Sequence, residues 1–154
     1  MPNRIYLIVA DDTEEFGNAL RYACKAARAN NTHIGVLNII PDSDFVNWGN
    51  IEERIKEDRR REAEKLLDTI AEKIKSMSGL TPTLYIGDGP APDAVIKTIE
   101  ENPNISNLFL GGSTKGGGPG PLVTYFCGKG LSKLPVPLTV IPDHIVLEEK
   151  ADES

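Results

Sequence analysis

Hydrophobic residues along this chain fall into short runs separated by longer stretches with a helical period. Five runs are predicted as strands, at residues 5–10, 33–40, 83–86, 107–110 and 136–141. The first run, Ile5 to Ala10, is nearly continuous, which is typical of a strand covered on both faces. The last run extends from Val136 to Ile141.

Between the runs, apolar residues recur every three or four positions, and this spacing predicts helices. The first helix places Phe16 and Leu20 on one face and ends near residue 30. Further helices are expected at about residues 51–77, 92–101 and 121–133. In the last of these, Gly128 and Gly130 are each expected to weaken the helix by about 1 kcal/mol relative to alanine.

Alternating strands and helices predict an α/β fold, Rossmann-like, in which helices cover both faces of a five-stranded parallel sheet. Ligands of such sheets bind beyond the carboxyl ends of the strands, where the strand order reverses. The order 3-2-1-4-5 would place the turn after strand 1, at Asp11, beside the loop after strand 4. The order 2-1-3-4-5 would instead bring residues 87–89 next to strand 1. We favour the first order because it joins two polar loops suited to a ligand.

Residues 111–120, called here the glycine loop, follow strand 4 and lead into a helix. Glycines leave backbone N–H groups uncovered and permit positive φ, so such a loop can curl around an anion. Pro119 and Pro121 remove two N–H groups, and Gly118 stands where a Walker A motif requires lysine. The donors that remain are those of Gly116, Gly117, Gly118, Gly120, Leu122, Val123 and Thr124. The pattern indicates either anion binding in general or a flexible connection that binds nothing.

The turn after strand 1 contains Asp11, Asp12 and Thr13. Asp11 is placed to accept hydrogen bonds from ribose hydroxyls or to hold Mg²⁺, and equally to cap the first helix. Phe45 and Trp48 follow strand 2, where they either fold over a ligand or partner or pack under their own loop.

Composition narrows the classes of function. The 154 residues carry a formal net charge of −6, which argues against a general affinity for nucleic acid. No hydrophobic run approaches membrane-spanning length, and Met1 leads quickly into a strand, so we expect neither membrane insertion nor a signal peptide. Cys24 and Cys127 are too few to staple a secreted fold, which favours the cytoplasm. Residues 1–147 are expected to form one domain, and 148–154 a charged, disordered tail.

The pattern gives little support to catalytic or metal sites. His33 and His144 are isolated, with no ligand spacing around them, so no metal site is predicted. No Ser-His-Asp set or pair of carboxylates can be assembled. An enzyme acting on a nucleotide or phosphorylated metabolite, at most by slow hydrolysis, is therefore the weakest of the hypotheses.

Several short motifs occur in a defined order along the chain. Strand 1 leads into Asp11-Asp12-Thr13, and the helix that follows contains Ala19-Leu20-Arg21-Tyr22-Ala23. Strand 3 ends in Gly87-Asp88-Gly89-Pro90-Ala91, and the two last strands include Leu108 to Gly112 and Val136 to Ile141. In this order and spacing the motifs resemble the universal stress protein family over nearly the whole chain.

The resemblance implies an adenine nucleotide alpha hydrolase-like fold with strand order 3-2-1-4-5, and cytoplasmic homodimers that pair along the last strand, Val136 to Ile141. Some members bind ATP and others do not, so ATP with Mg²⁺ is the cofactor that the resemblance suggests. Carried over by position, Asp11 would meet the ribose and Ile39 the adenine edge. Gly112 and the later glycines would hold the phosphates, and Thr124 would close the family's glycine pattern.

Two hypotheses follow from the residues and the resemblance together. The first is a regulatory module that binds an adenine nucleotide, ATP or AMP, between the loops after strands 1 and 4. The second is a dimeric stress-response interaction protein without nucleotide, because Lys115 and Val123 stand where the family pattern has glycine. The residues predicted to form the nucleotide site are Asp11, Asp12, Thr13, Ile39, Gly112, Ser113, Gly116, Gly118, Gly120, Leu122, Val123 and Thr124.

Overall fold

The computed structural model describes residues 4–11, 14–40 and 50–145. Asp12, Thr13, Phe45, Trp48 and the predicted tail, 148–154, lie outside these ranges. The strands are β1 (Ile5–Ala10), β2 (His33–Ile40), β3 (Thr83–Asp88), β4 (Ile105–Gly112) and β5 (Leu138–Pro142). The helices are α1 (Glu14–Ala29), α2 (Asn50–Ser78), α3 (Ala91–Glu101) and α4 (Pro121–Phe126), followed by a 3₁₀ helix at Leu131–Lys133.

The described strands form one parallel sheet in the order β3-β2-β1-β4-β5. This order confirms the prediction that we favoured, and the alternative with strand 1 beside strand 3 is wrong. β1 lies at the centre, so its side chains alternate between two buried faces. Ile8 packs with α1 and α2 on one face, and Leu7 packs with α3 and α4 on the other. Both residues are fully buried, as the continuous hydrophobic run predicted.

Helix α1 packs closely against the sheet because its inner face is built from small residues. Ala19, Ala23 and Ala27 have no exposed surface, and Leu20 is 1% exposed. On α2, Leu67 and Ile74 occupy the corresponding inner stripe. Among the described residues, no helix has both the length and the apolar character that crossing a membrane requires.

The last predicted helix is shorter than expected. Residues 121–133 were predicted as one helix, and this is wrong, because α4 ends at Phe126 and a separate 3₁₀ turn follows. The chain turns at Gly130, whose N–H donates to the Tyr125 carbonyl at 2.8 Å. A Cβ atom on Gly130 would lie 2.1 Å from Tyr125 Cε2, so the aromatic ring occupies the space of a side chain. Glycine at this position therefore leaves the space that the Tyr125 ring occupies after α4 has ended.

Two strands continue beyond their apolar runs. β4 extends over Ile105–Gly112 instead of 107–110, since it lies between β1 and β5 and pairs with both. β3 continues to Asp88, which pairs with Ile40 of β2. Polar and glycine residues at the carboxyl edge thus belong to the ladder, and they bring the strand ends close to the loops that follow.

Candidate functional site

The strand order reverses between β1 and β4, and the connections that leave these two strands go to opposite faces of the sheet. α1 packs on the face of Ile8, whereas α4 packs on the face of Leu7. A crevice therefore opens beyond the carboxyl ends of β1 and β4, at the position where α/β sheets bind ligands.

Three of the predicted site residues lie in one row across this edge. Ala10 pairs with Asn38, so the next residue of each strand places Asp11 level with Ile39. Ile8 pairs with Phe109, and the same register continued by three residues places Asp11 level with Gly112. β1 and β4 pair only as far as Ile8 and Phe109, so Asp11 and Gly112 face each other across the opening between the two strand ends. The sheet thus brings Asp11, Ile39 and Gly112 together.

The three residues of the row differ in chemistry: Asp11 is charged, Ile39 is apolar and Gly112 has no side chain. Asp11 is exposed immediately after β1, and the Asn38 side chain donates to the Ala10 carbonyl at 3.2 Å beside it. Ile39 is half-buried and packs with the cluster on the α4 side of the sheet. The alternation along β1 that puts Leu7 on this face assigns Asp11 to it as well. Asp11 and Ile39 therefore belong to the same face as α4, which follows the glycine loop.

Gly112 has a packing reason to be glycine. It is buried at the end of β4, where a Cβ atom would lie 3.0 Å from Val140 Cγ1 of β5. Its carbonyl accepts from the N–H of Asp143 at 2.9 Å. The sequence expectation for this residue was phosphate contact; the structure adds that any larger residue would crowd β5.

The second half of the glycine loop is open. Gly116, Gly118 and Gly120 have φ of 91°, 88° and 113°, in the region that favours glycine. At these three positions and at Gly117, an added Cβ would meet no atom within 4 Å. Gly116, Gly117 and Gly118 are exposed, Gly120 is half-buried, and the backbone turns repeatedly through positive φ, as in loops that surround an anion.

Hydrogen bonds close the glycine loop at its base. The Ser113 N–H donates to the Pro119 carbonyl at 3.2 Å, and the Ser113 hydroxyl accepts from the Lys115 N–H at 3.2 Å. The bond from Ser113 to Pro119 closes a loop in which Gly116, Gly117 and Gly118 are exposed. Ser113, a predicted ligand contact, is therefore engaged within the loop.

At the start of α4, the predicted backbone N–H donors differ in whether a carbonyl within the protein already accepts from them. The Thr124 N–H donates to the Gly120 carbonyl at 2.9 Å, so the expectation that it is open to an anion is wrong. The first N–H groups of an α-helix have no carbonyl partner within the helix, which applies to Leu122 and Val123. The Val123 side chain is 7% exposed and Leu122 is half-buried, so both anchor α4 to the core. Thr124 is exposed.

Asp143, directly after β5, fastens the glycine loop and was not predicted from the sequence. Its Oδ2 accepts from the Thr114 N–H at 3.1 Å, and its Oδ1 accepts from the Thr114 hydroxyl at 2.5 Å. The Thr114 hydroxyl, then its N–H, and the charges of Lys115 and His144 hold the pKa of Asp143 below its ordinary value of 3.8. The contact follows from the pairing of Gly112 with Pro142, which places Asp143 beside the loop and has no local signal in the sequence.

A second cavity, of about 210 Å³, lies two strands away beside β3. Gly87 and Asp88 line it from β3, Thr98 from α3 and Arg60 from α2. None of the predicted site residues lines it, and the favourable position at the strand-order reversal belongs to the other crevice. Within the described ranges, no group of three or more His, Cys, Asp or Glu side chains is arranged to hold a metal ion.

Comparison with models of protein families identifies the family of this chain. The model of the universal stress protein family matches residues 2–142. The chain belongs to the universal stress protein family. The match includes every described strand and the loops at the β1–β4 crevice, as the order of motifs predicted. Comparison with curated proteins produced no match.

Solved universal stress proteins share the fold at low sequence identity. UspA from Lactobacillus plantarum is 14% identical, with 90% of this chain and 97% of that chain covered and a TM-score of 0.75. A universal stress protein from Archaeoglobus fulgidus in complex with dAMP is 16% identical, with 92% and 99% covered and a TM-score of 0.60. A universal stress protein in complex with cAMP is 12% identical, with 90% and 96% covered and a TM-score of 0.63.

Proposed function

We propose that the β1–β4 crevice binds an adenine nucleotide and that this universal stress protein is a nucleotide-responsive regulatory module of the cytoplasm. The row of Asp11, Ile39 and Gly112 at the strand-order reversal carries the proposal. It is supported by the open glycines beside it, and by the two structurally similar proteins described in complex with dAMP and cAMP.

Each part of the site suits a different part of the ligand. Asp11 provides carboxylate oxygens that accept hydrogen bonds from ribose hydroxyls. Ile39 offers an apolar edge to the adenine ring. Gly116, Gly118 and Gly120 provide uncovered backbone for the phosphates, since no side chain stands between that backbone and solvent.

The described residues fit Mg²⁺ only if the ion binds together with the nucleotide. Mg²⁺ prefers oxygen ligands and keeps several waters, and it is usually bound through one or two carboxylates together with substrate phosphates. The described residues offer no cluster of three acidic, histidine or cysteine ligands. The nucleotide phosphates would therefore supply most of the anionic ligands.

Calorimetric titration of nucleotide-stripped protein with Mg-ATP tests the proposal. We expect saturable binding with a micromolar Kd, about −8 kcal/mol. Asp11→Ala should weaken binding by about tenfold, since the ribose loses one hydrogen-bond acceptor. Asp68→Ala, at an exposed position of α2, is the matched control and should bind as the wild type does. Absence of heat at high protein concentration, or equal binding by the Asp11 variant, would contradict the assignment.

A second candidate is an interaction protein that dimerises without nucleotide, and the edge position of β5 favours its dimerisation. β5 pairs only with β4 among the described strands, so its other side presents unpaired backbone groups. Leu138, Thr139 and Val140 are half-buried on this strand. We propose that a homodimer forms along residues 136–141, with the second copy continuing the sheet edge.

Sedimentation velocity of Thr139→Lys tests this pairing. A lysine on an edge strand opposes strand addition, so the variant should sediment as a monomer while the wild type sediments as a dimer. Thr69→Lys, at an exposed position of α2, introduces the same charge away from the edge and should leave the dimer intact. Nucleotide that copurifies with the wild type, visible as excess absorbance near 260 nm, would exclude the nucleotide-free form of this hypothesis.

A further inference from the structure

Asp143 makes four hydrogen bonds to three separate parts of the chain. Its carboxylate accepts two bonds from Thr114 in the glycine loop. Its N–H donates to the Gly112 carbonyl at the end of β4. Its own carbonyl accepts from the Asn18 side chain of α1 at 2.5 Å. One residue after β5 thus contacts α1, β4 and the glycine loop at once.

These contacts join the two walls of the β1–β4 crevice. α1 follows Asp11 and leaves the sheet on one face, whereas the glycine loop leads to α4 on the other. Asn18, Asp143 and Thr114 form a continuous hydrogen-bonded link between α1 and the glycine loop. The link therefore influences the distance between Asp11 and the glycines that we propose to bind phosphate.

We propose that Asp143 is a positioning residue that holds the entrance of the glycine loop in register with α1. The inference rests on the proposed nucleotide site and adds to it a residue outside the crevice. Gly116, Gly118 and Gly120 have no side-chain packing to order them, so their ordering on a phosphate costs conformational entropy. Fixing Thr114 at the loop entrance removes part of that cost before the ligand arrives.

The carboxylate suits this task better than a neutral group. Thr114 presents two donors, its N–H and its hydroxyl, to two different oxygens of Asp143. Hydrogen bonds to an ionised acceptor are shorter and stronger than neutral ones. Lys115 and His144, the neighbours of the bonded pair, lower the pKa of Asp143 and so favour the ionised form.

The experiment compares Asp143→Ala, Asp143→Asn and the control Asp68→Ala in two measurements. The first is hydrogen exchange of the Thr114 amide in the protein without nucleotide. The second is the ratio of the affinities for Mg-ATP and adenosine, determined by calorimetry. Asp143→Asn is the conservative variant, because its amide can both accept from the Thr114 N–H and donate to the Thr114 hydroxyl oxygen.

We expect Asp143→Ala to raise Thr114 exchange and to lower the ATP-to-adenosine affinity ratio, each by about tenfold, the effect of losing a charge-assisted hydrogen bond. Asp143→Asn should recover part of both changes, and Asp68→Ala should match the wild type. A purely structural role would reduce both affinities equally and leave their ratio unchanged, which would overturn the proposal. Wild-type exchange in Asp143→Ala would also overturn it.

Failure of the nucleotide proposal is distinguishable from failure of this one. If the wild type binds neither ATP nor adenosine, the nucleotide site is excluded. Thr114 exchange in the same samples still decides whether Asp143 holds the loop, because that measurement uses no ligand. Faster exchange in Asp143→Ala alone would then support the positioning role.

Discussion

At the scale of single residues, Gly112 and Asp143 secure the base of the glycine loop by different means. Gly112 does so by lacking a side chain, since a Cβ would approach Val140 to 3.0 Å. Asp143 does so by accepting two hydrogen bonds from Thr114. Both contacts require β5 to lie beside β4, so the loop is positioned by a strand that follows it in sequence.

The titration of Asp143 is the first prediction. Its folded pKa is depressed below 3.8, so the Thr114 contact is complete above that pH and is lost as pH falls through the lower folded value. The Thr114 hydroxyl is the largest cause, and Thr114→Val should therefore move the midpoint upward, toward 3.8. Carboxyl carbon chemical shifts in NMR report the midpoint. Thr114→Ser retains the hydroxyl and should titrate as the wild type does; an identical midpoint in the valine variant would contradict the assigned cause.

Sequence reasoning found the candidate residues that are adjacent to strand ends and missed the one that depends on pairing. Asp11 and the glycines are visible because they directly follow hydrophobic runs. Thr114 and Asp143 are 29 positions apart, and nothing in either neighbourhood marks the contact. Asp12 and Thr13, also predicted as site residues, lie outside the described residues and stay predictions.

At the scale of elements, the C-terminal segment shows why a helical period can overestimate helix length. The pattern over residues 121–133 is compatible with one helix, yet α4 contains six residues. Tyr125 and Phe126 form an edge-to-face pair with ring centroids 5.1 Å apart, and Phe126 is fully buried. Gly130 lets the chain fold back over Tyr125, so aromatic packing prevails over continued helix formation.

Gly130→Ala provides the second prediction. The new Cβ would lie 2.1 Å from Tyr125 Cε2, so the ring must move and lose its packing. We expect a loss of about 1–3 kcal/mol in the free energy of unfolding, measured by urea denaturation. Gly17→Ala in α1 is the matched control, because no atom lies within 4 Å of its Cβ position. A helical alanine there should stabilise the protein by about 0.5–1 kcal/mol; equal effects at both positions would refute the packing argument.

At the scale of the whole molecule, a central strand buried on both faces joins the two layers of helices. β1 contributes Leu7 to one apolar cluster and Ile8 to the other, and neither is exposed. The same strand ends at the crevice between Asp11 and the glycine loop. The core and the candidate site therefore share one scaffold, and substitutions in β1 should affect both.

Leu7→Ala is the third prediction. Removing a fully buried leucine from the central strand should destabilise the protein by about 2–5 kcal/mol, through lost burial and a residual cavity. Leu131→Ala, where the side chain is 56% exposed, should change stability by less than about 0.5 kcal/mol. Urea denaturation of both variants checks the difference. Similar losses in the two would show that β1 is not the centre of the core.

The hydrophobic runs and helical spacings were sufficient to predict the α/β class, the five strands and the approximate extent of α1, α2 and α3, because these properties depend on neighbours a few positions apart. They left two strand orders open, and the choice between them came from the character of the loops. Tertiary structure decided the end of α4 at Phe126, the packing role of Gly112 and the bonds of Asp143. The packing of Gly112 and the bonds of Asp143 join segments far apart in sequence that touch only when β4 and β5 pair. The end of α4 depends on how Tyr125 and Phe126 pack in the folded protein, which the helical spacing of the sequence does not encode.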